Sequence, residues 1–101
     1  MQFRVRIHQY GSEKLVAVCD SELINMEFEH NGVLLKVLPR FYGTLDYSAE
    51  EVLTELQSAT SYNVIGENIC HLLVQNGFIH PKTIIWFEKG DQKIGHAIVV
   101  R

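Results

Sequence analysis

The sequence predicts an α+β fold: a single small domain over residues 1–101, in which a mixed or antiparallel sheet of about five strands carries a central pair of helices on one face. Three observations lead there. Phe3, Val5 and Ile7 alternate with Gln2, Arg4, Arg6 and His8 at the period of a strand. Apolar residues from Ala49 to Leu73 recur at helical spacing, and the chain from Thr83 to Val100 returns to β-branched and aromatic residues. At 101 residues, with 47% hydrophobic and 21% charged, the chain can bury one core, is too short for two and too apolar for disorder. A domain of this size favours a shallow site over a deep enclosed pocket.

The alternating start is a half-buried strand, and Tyr10-Gly11-Ser12-Glu13 turns it into the more apolar Lys14–Cys19, giving a hairpin. Asp20 then stands as a capping side chain before a short helical or turn segment through Ile24. Asn31-Gly32 marks a turn, and Val33 to Leu38 is strand-like until Pro39 removes a backbone donor. Ser48-Ala49-Glu50-Glu51 has the capping-box form, so a helix starts there and buries Ala49, Val52, Leu53, Leu56 and Ala59. Thr60 to Asn63 are cap formers, and the spacing predicts a second helix directly after them, with Ile65, Ile69, Leu72 and Leu73 inward. Gly77, Phe78 and Pro81 end it, and Thr83–Phe87 with Ala97–Val100 form a terminal hairpin.

Nine Lys and Arg against twelve Asp and Glu give a net charge of −3, which leaves only a local basic patch as a reason to bind nucleic acid and argues against DNA. Cys19 and Cys70 lack metal-type spacing and read as reduced thiols of a cytosolic protein. No signal peptide or apolar span of membrane length is expected.

Several segments in order resemble a small archaeal family known as a conserved domain of unknown function. They are Ala17-Val18-Cys19-Asp20, Phe41-Tyr42-Gly43, Ser48 through Glu51, Ala59-Thr60-Ser61-Tyr62-Asn63-Val64-Ile65-Gly66, Gly77-Phe78-Ile79 and His96-Ala97. The chain departs from that pattern at Ile24-Asn25-Met26 and at Gly95. The resemblance implies an archaeal cytoplasmic protein and carries no reaction with it.

No nucleotide loop, paired-carboxylate site or metal motif can be assembled, so no cofactor or metal is expected. His8, His30, His71, His80 and His96 share no ligand spacing. His96 is the most interesting because it opens the last strand beside glycines. Cys70 reads as core, and the carboxylate beside Cys19 disfavours its thiolate. Asn63 and Gly66, placed at a helix start, form a candidate anion site, against the blander reading that Thr60 or Ser61 caps and Gly66 allows close packing. Arg4, Arg6 and His8 on one strand, with Arg40, Phe41 and Tyr42 in a loop, make a basic-aromatic group suited to RNA, against the blander and favoured reading of a charged edge strand protected from aggregation.

The reading favoured by these residues is a non-enzymatic binding module for RNA or a translation-related assembly. Its surface is expected around Asp20, Phe41, Tyr42, Gly43, Thr60, Asn63, Gly66 and His96, with Arg4, Arg6 and Arg40 as the basic face. The alternative is a small hydrolase or transferase using His96 with Asp20 and Asn63.

Overall fold

A computed structural model describes residues 1–101. Its strands are β1 (Phe3–Tyr10), β2 (Glu13–Asp20), β3 (Glu27–His30), β4 (Val33–Lys36), β5 (Asp46–Tyr47), β6 (Ser61–Ile65), β7 (Ile85–Lys89) and β8 (Gln92–Val100). The helices are α1 (Pro39–Tyr42), α2 (Ala49–Gln57) and α3 (Glu67–Gln75), with 3-10 turns at Ser21–Leu23 and Pro81–Thr83. Six strands form the main sheet in the order β5-β1-β2-β6-β8-β7, while β3 and β4 form a separate hairpin. β2 and β6 run parallel and the other main-sheet neighbours antiparallel, so the sheet is mixed. None of the helices is long and apolar enough to cross a membrane.

Both predicted hairpins form, Tyr10 pairing with Glu13 and Lys89 with Gln92 across two-residue turns, but the strands of the second run Ile85–Lys89 and Gln92–Val100, so most of the polar segment expected to connect them is strand and Thr83 lies in a 3-10 turn. The capping box also forms, the Glu51 amide donating to Ser48 Oγ and the Ser48 amide to Glu51 Oε1. At the end of α3 the Phe78 amide donates to the Leu73 carbonyl and the Gly77 amide to that of Val74, the bond pair of a Schellman ending.

Three expectations are corrected. Thr60 to Asn63 do not cap a second helix. Ser61–Ile65 is a strand, and the two long helices are joined through it. Its side chains alternate between two apolar layers, Tyr62 and Val64 toward one and Ile65 toward the other, which imitates a short helical stripe when read in one dimension. β3 and β5 went unread, β3 because Phe28 is its one buried apolar residue between two glutamates and β5 because it has two residues. Arg40, Phe41 and Tyr42 lie in the helical turn α1, which Pro39 starts, instead of a loop.

α2 and α3 cover one face of the sheet. Val52, Leu56, Ile69, Cys70 and Leu73 bury Phe3, Val5, Val16, Val18, Tyr62 and Val64 there. On the opposite face Tyr42 of α1, Leu23, and Phe28 of the small hairpin cover Ala17, Cys19, Ile65, Phe87 and Ile94. This second cover is partial. Across the strands, the row His8–Leu15–Ser61–Val100 and the inner part of the row Arg6–Ala17–Asn63–Ile98 face the same way. Ile98 and Val100 remain 61% and 81% exposed, so the sheet has an open lower half on the side away from α2 and α3.

The capping box gives a direct test of the helix that starts at Ala49. Ser48→Ala is expected to lower unfolding free energy by about 1 kcal/mol in urea titration, with an unchanged m-value. An undiminished midpoint would contradict the capping role.

Candidate functional site

Asn63 stands on the middle strand, facing the open side. Its Oδ1 accepts from the Tyr42 hydroxyl at 2.8 Å and lies 3.2 Å from His96 Nε2. An amide oxygen can only accept, so in this geometry Nε2 of His96 carries a hydrogen and Nδ1 keeps its lone pair. Burial pushes the His96 pKa down, favouring that neutral ring. Burial also pushes the Tyr42 hydroxyl up, leaving it a donor at neutral pH. The bonded amide oxygen is thereby turned inward, and the Asn63 NH2 group is left without a protein acceptor.

Phe41 extends this group toward the sheet edge. Its ring stacks on His8 at 5.0 Å and meets Tyr42 edge-on at 4.9 Å, while its carbonyl is 2.9 Å from His8 Nε2. Gly43 makes the docking of α1 possible: at φ 93°, a Cβ there would lie 2.2 Å from the Val5 carbonyl oxygen. Arg6 adjoins this point and is exposed, as is Arg40. Arg4 is engaged elsewhere, its Nε 2.7 Å from Asp46 Oδ1. The Ser21 hydroxyl and Arg4 together hold the Asp46 carboxyl below its ordinary range.

Asp20 belongs to a different place. It ends β2 on the side of α3, where its two carboxylate oxygens accept from the Asn68 and Ile69 amides, both at 2.9 Å. It does not cap the 3-10 turn that follows it; it caps α3 from a distant point in the sequence. Gly66 allows this approach, since a Cβ at its φ of 134° would lie 2.3 Å from Asp20 Cγ. The anion expected at Asn63 and Gly66 is therefore the chain's own carboxylate, received by Asn68 and Ile69, and Asn63 takes no part in it. Burial raises the Asp20 pKa from its ordinary 3.8 to about 6, against the two amide donors that lower it.

Of the eight expected site residues, Phe41, Tyr42, Asn63 and His96 come together. Gly43 supports α1, and Asp20 pairs with Gly66 on the other side of the sheet. Thr60 lies at the lower end, where its hydroxyl and amide bond the Lys14 backbone. The trio His96, Asn63 and Asp20 is not assembled. Cys19 and Cys70 are buried, and burial with the nearby Asp20 pushes both thiols up to about 12, which leaves no thiolate nucleophile. His80 caps the second 3-10 turn, accepting from the Lys82 amide. No group of His, Cys, Asp and Glu has the arrangement of a metal site.

Two hollows open on the surface, the second of them reaching the group at His96. A cleft of about 600 Å³ at the upper end of the strands gathers Asp20, Glu22, Glu67, Glu88 and Asp91 with Lys93. A groove of about 350 Å³ between the small hairpin and β7 is lined by His30, Asn31, Val33, Leu35, Ile85, Phe87 and His96. Sequence reading missed this groove because it forms only where the small hairpin, whose first strand β3 is unmarked in sequence, packs beside β7.

Asp20 makes stability depend on pH in a definite direction. Folding raises its pKa, so its contribution is full below about pH 4 and is lost as the pH rises through about 6, a change of about 3 kcal/mol. Asp20→Asn cannot ionise and serves as the reference. The stability of the wild type relative to this variant is expected to fall between pH 4 and 7 in parallel denaturant titrations. A difference that rises or stays flat would contradict the assignment.

A crystal structure of an uncharacterized conserved protein from Methanopyrus kandleri is similar over 98% of this chain and 90% of that one, with a TM-score of 0.74 and 22% identity, a likeness that shows the fold. No curated protein matches the chain. A family model described as protein of unknown function (DUF424) matches residues 8–98, and the chain belongs to that family.

Proposed function

We propose that this chain is a non-enzymatic RNA-binding module of a translation-related assembly in an archaeal cytoplasm, and that it binds through the sheet face opposite α2 and α3. The observation that supports this most is the placement of Arg6 and Arg40. Both are exposed, neither has a carboxylate partner, and they flank Phe41 at the margin of the open sheet. Acidic side chains gather instead around the upper cleft. The local field at the open face thus differs from the net charge of the whole chain.

Single-stranded RNA is the chemistry this surface fits. Two guanidinium groups supply phosphate contacts, the partly exposed Phe41 and His8 rings supply a stacking edge, and the oriented Asn63 amide supplies a donor for a base edge or sugar oxygen. An enzymatic reading lacks its carboxylate, because Asp20 is spent on α3.

The experiment is a fluorescence-anisotropy titration with a short unstructured RNA at several salt concentrations. Arg6→Ala and Arg40→Ala are each expected to weaken binding and to reduce the salt slope by about one, whereas Arg4→Ala leaves the slope unchanged because Arg4 is already paired. Asn63→Ala is expected to weaken binding by about 1–2 kcal/mol. Absence of binding, or a salt slope insensitive to both arginines, would overturn the proposal. Affinity capture from native lysate with and without nuclease tests the assembly: recovery of ribosomal components that nuclease diminishes supports it, and recovery of neither RNA nor ribosomal components refutes it.

A further inference from the structure

We infer that the groove between the small hairpin and β7 is a pocket for one unpaired nucleobase, read by the lone pair on His96 Nδ1; this rests on the RNA-binding reading and names what that face would recognise. The groove holds about 350 Å³, at the low end of the roughly 300–1,000 Å³ of small-ligand pockets, which suits a single ring system. Its walls are Val33, Leu35, Ile85 and Phe87, with the His30 ring 5.5 Å from that of Phe87 and tilted by 33°. Its lining contains no carboxylate, Lys or Arg. An occupant should therefore be flat, uncharged and largely apolar over its faces.

The polar requirement is equally narrow. Tyr42 and Asn63 fix His96 with its hydrogen on Nε2, so Nδ1 is an acceptor. Every buried side-chain nitrogen and oxygen has a hydrogen-bond partner. Nδ1 has none among the hydrogen bonds of His96 and is therefore accessible, on a side chain that lines the groove. A ligand satisfying it must donate an N–H or O–H from the edge of its ring, as the amino and imino groups of the bases do. Continuity points the same way. His96 lies beside Ile65 and Ile85 in the row above Asn63 and Ile98, so a strand held at Arg6 and crossing Asn63 arrives at the groove.

The test titrates the full chain with a labelled unstructured RNA heptamer and with the same heptamer made abasic, using wild type and Val33→Trp. Val33 is 58% exposed at the groove, so the larger ring occupies the pocket without entering the core. Wild type is expected to bind the intact strand about tenfold more tightly than the abasic one. Val33→Trp should lose most of that advantage, the remainder belonging to the Phe41–His8 edge, and a variant that keeps it in full overturns the pocket; added nucleosides should move the His96 Nδ1 resonance in nitrogen-15 spectra. If wild type binds both strands equally and nucleosides leave His96 unmoved, the pocket and the Phe41–His8 stacking edge are overturned while the phosphate contacts of the arginines stand. If neither strand binds but nucleosides still move His96, the pocket stands and the RNA-binding face falls. Failure of all three overturns both.

Discussion

The five residues of β6 hold the molecule together. The amino-terminal hairpin and the carboxy-terminal hairpin meet in the main sheet only through this strand, which pairs in parallel with β2 on one side and antiparallel with β8 on the other. Being central, it must satisfy two apolar layers at once. Tyr62 and Val64 complete the layer under α2 and α3, while Ile65 completes the layer under the small hairpin and α1. Asn63 places a polar side chain at the middle of this strand, as Ser61 does at its start. A half-buried amide among such neighbours needs partners, and Tyr42 and His96 provide them from two other elements.

The same pairing explains why Asp20 and Asn63 serve different ends although both lie in adjoining strands. Parallel register sets Cys19 beside Ile65, so Asp20 at the end of β2 and Gly66 just after β6 come together at the start of α3. There the carboxylate meets two free amides and the positive end of the helix dipole, and the glycine removes the side chain that would block it. One strand pair thus creates a structural anion site at its upper end and a polar, partly open face along its middle. The charge distribution follows, with carboxylates above and unpaired guanidinium groups beside the open face.

Local signals were legible in the sequence wherever the chemistry was local. The Tyr10–Glu13 turn, the Ser48–Glu51 capping box and the Gly77-Phe78 helix ending each depend on residues within a few positions. The α+β class and the placement of both long helices on one face followed from these. β6 was not legible, because Thr60, Ser61 and Asn63 are good cap formers and nothing local shows that a parallel partner lies more than forty residues upstream. The site had the same limit. Phe41 and Tyr42 read as loop aromatics, His96 as a strand residue and Asn63 as a helix start, and their convergence needs both the β2–β6 register and the docking of α1 at Gly43. Asp20 was rightly seen as a cap and assigned to the wrong helix, since the nearer helical turn is the one visible in sequence.

The proposed working surface is the sheet face away from α2 and α3. Mapping backbone amide shifts of the isotopically labelled chain during titration with unstructured RNA tests it most directly. Perturbations are expected on Arg6, Phe41, Asn63, His96 and Ile98, with the outer residues of α2 and α3, such as Glu50 and His71, unmoved. Shifts confined to those helices, or none anywhere at saturating RNA, would contradict it.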